Sequence, residues 1–155
     1  VHTHGMRFFP GIFSGYGFGV GAKYIPCSTV AKWVKADYEA MGKEAILLKG
    51  RDNNPYYETD ENHYLIALRT MTEEAYYGGL FRDEFHFMIK KSDGWYFKDG
   101  WKGGIFKLKG NNTPSTVQWI QYIIDDSENY IPSYDVIYGS GIQYIVVPRT
   151  TLKIE

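Results

Sequence analysis

The sequence predicts an α+β domain: an N-terminal helix packed on a mostly antiparallel sheet. Three observations lead there. One early segment repeats its apolar residues at helical spacing, and most later segments repeat them with period two. One helix is followed by several strands, two of them joined by the tight turn Ser92-Asp93-Gly94, which favours an antiparallel sheet over a parallel α/β arrangement. Aromatics make up 17% of the chain, with 14 Tyr, 9 Phe and 4 Trp, and such residues favour strands and pocket walls.

The first stretch, Val1 to Ile25, carries Gly11, Gly15, Gly17, Gly19 and Gly21. Glycines at that density break a helix, so a loop with at most one short strand is expected. From Cys27 the pattern changes. Val30, Trp33, Val34 and Met41 form an apolar stripe at helical spacing. Ser28 or Thr29 supplies an N-cap and Gly42 a stop.

Beyond Gly42 the period shortens. Ala45 to Leu48 reads as a strand and Gly50 to Asp60 as a polar loop. His63 to Arg69 alternates, with Leu65, Ala67 and Arg69 on one face and Tyr64, Ile66 and Leu68 on the other. A second polar loop carries Thr72, Glu73, Glu74, Gly78 and Gly79. Glu84 to Lys91 and Trp95 to Lys98 form a hairpin closed by Ser92-Asp93-Gly94. Ile105 to Leu108 is a short strand. Ser115 to Asp126 fits a helix through Val117, Ile120, Gln121 and Ile124, and a strand through Trp119, Tyr122 and Ile123. Gly141 to Pro148 is a strand in which Gln143 and Pro148 suggest a sheet edge.

Composition narrows the function. The 155 residues fit a single domain, residues 1–155. The 17 basic residues nearly balance 18 acidic ones, for a net charge of −1, which argues against a general nucleic-acid binder. No apolar run reaches the length that spans a bilayer. The lone cysteine, Cys27, excludes an internal disulfide and a Cys-rich zinc site. No cofactor is expected.

Cys27 is also the one thiol nucleophile. It stands where a helix begins, and the partial positive charge there favours a thiolate. The bland alternative is a buried, inert cysteine. His86 lies mid-strand in Glu84-Phe85-His86-Phe87-Met88-Ile89. A histidine there is either a general base or a core residue satisfied by a backbone carbonyl. A nucleophile at a helix start with a histidine on a downstream hairpin is the layout of a Cys–His dyad. Asp99, on the return strand near His86, is the expected orienting carboxylate, its bland alternative being a turn residue before Gly100. Backbone amides at the helix start would form the oxyanion hole. Trp95, Tyr96 and Trp101 are the expected walls of a substrate cleft.

At this point the chain resembles a family. Cys27-Ser28-Thr29-Val30-Ala31-Lys32-Trp33-Val34 with Gly42, and the hairpin from Phe85 to Asp99, resemble the nucleophile helix and His hairpin of NlpC/P60 peptidases. That implies a papain-like bacterial cysteine hydrolase, a peptidase or amidase cutting peptide or cell-wall stem amide bonds. A second resemblance is to bacterial papain-like proteins with an Asp-aromatic-His-aromatic strand followed by Asp-Gly-Trp. It rests on Pro10-Gly11, Phe13-Ser14-Gly15, Ala36-Asp37, Tyr64 to Leu68, Asp83 to His86 and Ser92-Asp93-Gly94-Trp95. It implies a nucleophile upstream of Val1 and makes Cys27 structural. The two agree on fold and on His86.

Other readings stay open. The chain is alternatively a non-catalytic papain-like remnant or an aromatic-rich module that binds carbohydrate or protein. His2-Thr3-His4 resembles the His-x-His of JAMM-type metallopeptidases, although Gly17 stands where that pattern has its Asp. A frayed terminus is the bland account of that pair. Gly15 to Gly21 reads as a flap or plain connection rather than a phosphate loop. His63 is expected as a surface residue at a strand start.

Overall fold

The computed structural model describes residues 2–3, 6–7, 24–75, 85–98, 105–117, 119–124, 130–137 and 139–149. Its centre is one helix, α1 (Cys27–Ala40), against an antiparallel sheet of six strands. Those strands are β3 (Ile46–Leu47), β4 (His63–Thr70), β5 (Phe85–Lys91), β6 (Gly94–Lys98), β7 (Ile105–Lys107) and β10 (Gln143–Pro148), in the order β3-β10-β4-β5-β6-β7. Two small hairpins complete the list: β1 (His2–Thr3) with β2 (Met6–Arg7), and β8 (Ile120–Ile124) with β9 (Tyr130–Ile137).

The helix forms because Val30, Ala31, Val34 and Asp37 recur on one side, and all four are buried. Pro26, not Ser28 or Thr29, occupies the cap, and no side chain caps the first turn. A proline fits there because the residues before a helix are extended and its missing N–H is one the helix could not pair. The other end stops as expected. Gly42 takes φ +73°, its N–H donates to Glu39 O, and the Lys43 N–H donates to Tyr38 O. That is a Schellman closure, which glycine enters without strain. The helix then packs on β10, β3 and β4.

The middle strands are buried on both faces. Leu65 to Leu68 of β4 and Tyr144 to Val147 of β10 are all buried. The expected alternation along β4 divides the core in two. Leu65 and Ala67 join Leu48, Met71, Met88, Trp95, Trp119, Tyr144 and Val146 on one face. Ile66 and Leu68 join Val30, Ala31, Val34, Ala45, Ile145 and Val147 under the helix.

Two strand expectations needed revision. β10 is interior, between β3 and β4, although Gln143 and Pro148 suggested an edge. Its neighbour β3 pairs only with Ile145 and Val146, so both ends of β10 are edge-like locally. Pro148 ends the strand opposite His63, where a missing N–H is tolerated. The Gln143 amide meanwhile donates to Leu48 O at 2.8 Å. The ambiguous segment resolves as a turn followed by a strand: the Thr113 N–H donates to Thr116 Oγ1 at 2.8 Å, and β8 follows. β9 had no counterpart in the sequence reading. The hairpin of β5 and β6 stands as expected, with Lys91 opposite Gly94 and Ser92-Asp93 between. Gly94 sits at φ +144°, where a side chain would be strained and a Cβ would meet Lys107 Cε at 3.1 Å.

Candidate functional site

Cys27 is the first residue of α1 and is half-buried. The helix lays it over the end of β4, where its thiol donates to Leu68 O at 3.7 Å. The hydroxyls of Ser140 and Thr70 lie against the sulfur. Ser140 is fixed by the Thr70 N–H, which donates to its Oγ at 2.9 Å, and by its own hydroxyl, which donates to Gly141 O at 2.9 Å. The Thr70 hydroxyl is buried with no well-formed hydrogen bond of its own. A close approach holds this seam together: a Cβ on Gly139 would stand 2.8 Å from Thr72 Cγ2.

The helix terminus favours a thiolate, and so do these hydroxyls and the Arg69 charge, but burial outweighs them. Cys27 titrates above the ordinary thiol value. The sulfur packs with the apolar residues beneath the helix.

His86 belongs to the other face. It is the register partner of Arg69, two positions along from Met88 opposite Ala67. Side chains alternate along a strand, so His86 shares its face with Met88 and Ala67 of the Trp95 core. Ring contacts agree: His86 meets Phe97 at 5.6 Å and Trp119 at 5.7 Å, edge to face. Its neighbours Phe85 and Phe87 project toward the helix side instead. Only 8% of His86 is exposed, and burial lowers its pKa to about 4. The imidazole is therefore neutral at pH 7 and a weak base.

The structure does not bring Cys27 and His86 together. The sheet stands between the two side chains, one under the helix and one in the aromatic core. Asp99 and Trp101 lie outside the described residues, as do His4, Gly15 to Gly21, Pro10-Gly11 and Asp83. Trp95 is 3% exposed and packs on Tyr144 with rings 5.9 Å apart, so it is a core residue rather than a cleft wall. Tyr96 remains at the surface. Its hydroxyl donates to Asp93 Oδ2 at 2.7 Å, and Lys91 Nζ lies 5.2 Å from its ring centre. His63 is the expected surface residue, 2.6 Å from Asp60 Oδ1. Among the described residues no three His, Cys, Asp or Glu gather to hold a metal, and no helix is long and apolar enough to cross a membrane.

The sequence reading missed Arg69, Thr70, Ser140 and Trp119. Arg69 did leave a signal, because it falls on the same face as Leu65 and Ala67. A charge on a core face calls for an explanation. Ser140 left none, since only the return of the chain to Thr70 gives it meaning. Comparisons of the chain with protein-family models, curated proteins and solved structures gave no match.

Proposed function

We propose that this chain is a non-catalytic domain that binds an acidic segment of another protein, with Cys27 a structural thiol. The observation that carries the proposal is the sheet lying between Cys27 and His86. A general base has to come within hydrogen-bond reach of the proton it removes. Under this reading the papain-like motifs are remnants whose dyad is not assembled.

Support for binding comes from the far half of the helix-side face. Helix α1 covers β3, β10 and β4. Tyr96 and Lys107 are register partners on β6 and β7, and Ile105, paired with Lys98, shares their face. Ile105 is 73% exposed. Lys107 Nζ lies 3.4 Å from the Asp93 carboxylate that also accepts from Tyr96. Lys91 and Lys107 stand beside one described carboxylate, Asp93, so the strip is cationic around an aromatic and an aliphatic anchor. An acidic segment with apolar side chains complements that surface.

A titration with a Glu- and Leu-rich peptide tests the proposal. Saturable shifts at Tyr96 and Ile105, weakened about tenfold or more by Lys91→Glu with Lys107→Glu, are expected. Equal response to a Lys-rich peptide overturns it. Iodoacetamide labelling of Cys27 at pH 7 should be slow, because the thiolate fraction falls about tenfold for each unit of raised pKa.

One observation favours the hydrolase reading: Cys27 begins a helix, and Arg69, Ser140 and Thr70 all act to lower its pKa. In that second reading Cys27 remains the nucleophile of a peptidase or amidase. Amide hydrolysis lost in both Cys27→Ala and His86→Ala would establish it and end the binding proposal.

A further inference from the structure

The sheet ends in two edges, and they are finished differently. At β3 the chain runs against α1. Ala45, just before that strand, is buried, and its carbonyl accepts from Lys35 Nζ at 2.9 Å. β7 has no such cover. Among the described residues it pairs with β6 alone. Ile105 is 73% exposed and the Lys107 side chain 45%, so solvent reaches both.

The ladder fixes which way the backbone of β7 points. The Leu108 N–H donates to Trp95 O at 2.9 Å, so Trp95 and Leu108 are a hydrogen-bonded pair. Such pairs alternate with unbonded ones along an antiparallel ladder. Phe97 with Phe106 is the next bonded pair, and Tyr96 with Lys107 and Lys98 with Ile105 are unbonded. The N–H and C=O groups of Ile105 and Lys107 therefore point away from β6, out of the sheet edge. Their side chains share the face of Tyr96, whereas Phe106 stacks on Phe97 on the other face, with rings 5.3 Å apart.

We infer that the acidic segment binds as an added antiparallel strand along the open edge of β7. The inference rests on the binding reading above and adds how the segment is held. Main-chain bonds to Ile105 and Lys107 supply affinity, and side chains supply choice. A strand running opposite to β7 puts an acidic residue across from Lys107 and apolar residues across from Phe106 and Ile105. Opposite charges and apolar pairs are the favourable partners across a ladder. Lysine on an open edge also discourages pairing between copies of the same strand. The same residue thus selects a foreign acidic strand over a second β7.

The peptide acetyl-Thr-Glu-Leu-Val-Thr-amide is titrated into wild-type protein, with its Glu-to-Lys counterpart as control. At saturation, amide exchange at Ile105 and Lys107 should slow about tenfold or more, and that at Phe106, already bonded to Phe97, should change little. Two methylated forms of the peptide test the main chain. N-methyl groups on Glu and Val remove the N–H groups that face β7 and should weaken binding about tenfold or more. N-methyl groups on Leu and the last Thr face away and should leave it near the parent value. Ile105→Pro removes an N–H that β6 does not use, which a sheet edge tolerates. It should bind about tenfold more weakly than Ile105→Ala, which loses the same side chain but keeps the N–H. If Ile105→Pro does not fold, the two methylated peptides on wild-type protein decide. Saturable shifts at Tyr96 and Ile105 without amide protection, with both methylated forms bound alike, would overturn strand addition and leave the acidic-segment reading standing. Equal protection by the Lys peptide, or no saturable response to any peptide, would overturn both.

Discussion

The two faces of the sheet bury their residues with different chemistry. Under helix α1 the buried residues are aliphatic, Val30, Ala31, Val34, Ile66, Leu68, Ile145 and Val147, with Tyr38, Tyr64, Phe85 and Phe87 packed at their margin. The buried Asp37 carboxyl and the half-buried sulfur of Cys27 are the irregularities there. The opposite face is aromatic and carries polar groups: Trp95, Trp119 and Tyr144 surround Met88 and Met71, with His86 and Arg69 among them. An aliphatic face tolerates loss of a side chain by partial collapse. A face built on rigid rings that also hold hydrogen bonds has less room to relax.

The largest effect should therefore come from Trp119. It is 2% exposed, its N–H donates to Pro114 O, and it touches both His86 and Arg69. Trp119→Ala should cost about 3 to 5 kcal/mol in urea unfolding. Leu68→Ala, fully buried under the helix, should cost less, within the range of about 2 to 5 kcal/mol usual for such truncations. A larger loss at Leu68 than at Trp119 would reverse the contrast between the faces.

Next in size is the pH dependence that His86 confers. Its folded pKa of about 4 lies below the ordinary histidine value of 6.5. Above pH 6.5 the imidazole is neutral in both states, and stability is complete. Between pH 6.5 and about 4 the unfolded chain takes up a proton that the folded protein refuses. Stability thus falls with falling pH, by about 3 kcal/mol across the window. Chemical denaturation from pH 7.5 to 4 should show this slope, and His86→Gln should remove most of it. An unchanged slope in the variant would place the titrating group elsewhere.

The contrast between faces also explains what the sequence made legible. Period-two alternation along His63 to Arg69 separated Leu65 and Ala67 from Ile66 and Leu68, and the two cores divide along that line. The stop at Gly42 and the turn at Ser92-Asp93 were legible because each is set by local backbone chemistry. The relation of Cys27 to His86 was not. It depends on which face of β5 carries the imidazole, and a shift of one residue in register reverses that choice. The sequence placed a helix start before a histidine strand but held nothing local to say whether they meet. Burial of β10 between β3 and β4 is likewise a pairing over long sequence distance. Gln143 and Pro148 report only the ends of that strand.

The smallest effect belongs to Cys27, and its sign distinguishes the faces most directly. Cys27→Ala removes one half-buried sulfur and a weak S–H bond to Leu68 O, so at pH 7 it should cost about 1 kcal/mol. The pH course differs from that of His86. Burial holds the Cys27 thiol above its ordinary value, so the unfolded chain releases that proton first as pH rises. Wild-type stability should then decline through the alkaline range, beginning near the ordinary thiol pKa of about 8.5. Tyr38 and Tyr144 are raised as well and add their own decline at higher pH. Denaturation at pH 7.5 and 9.5 isolates the thiol: the gap between wild type and Cys27→Ala should shrink at the higher pH. A gap that widens instead would mean that folding stabilises the thiolate, as an activated nucleophile requires. On the aromatic face the buried His86 thus loses stability toward acid, while under the helix the Cys27 thiol loses it toward alkali, two polar groups on opposite faces of the sheet.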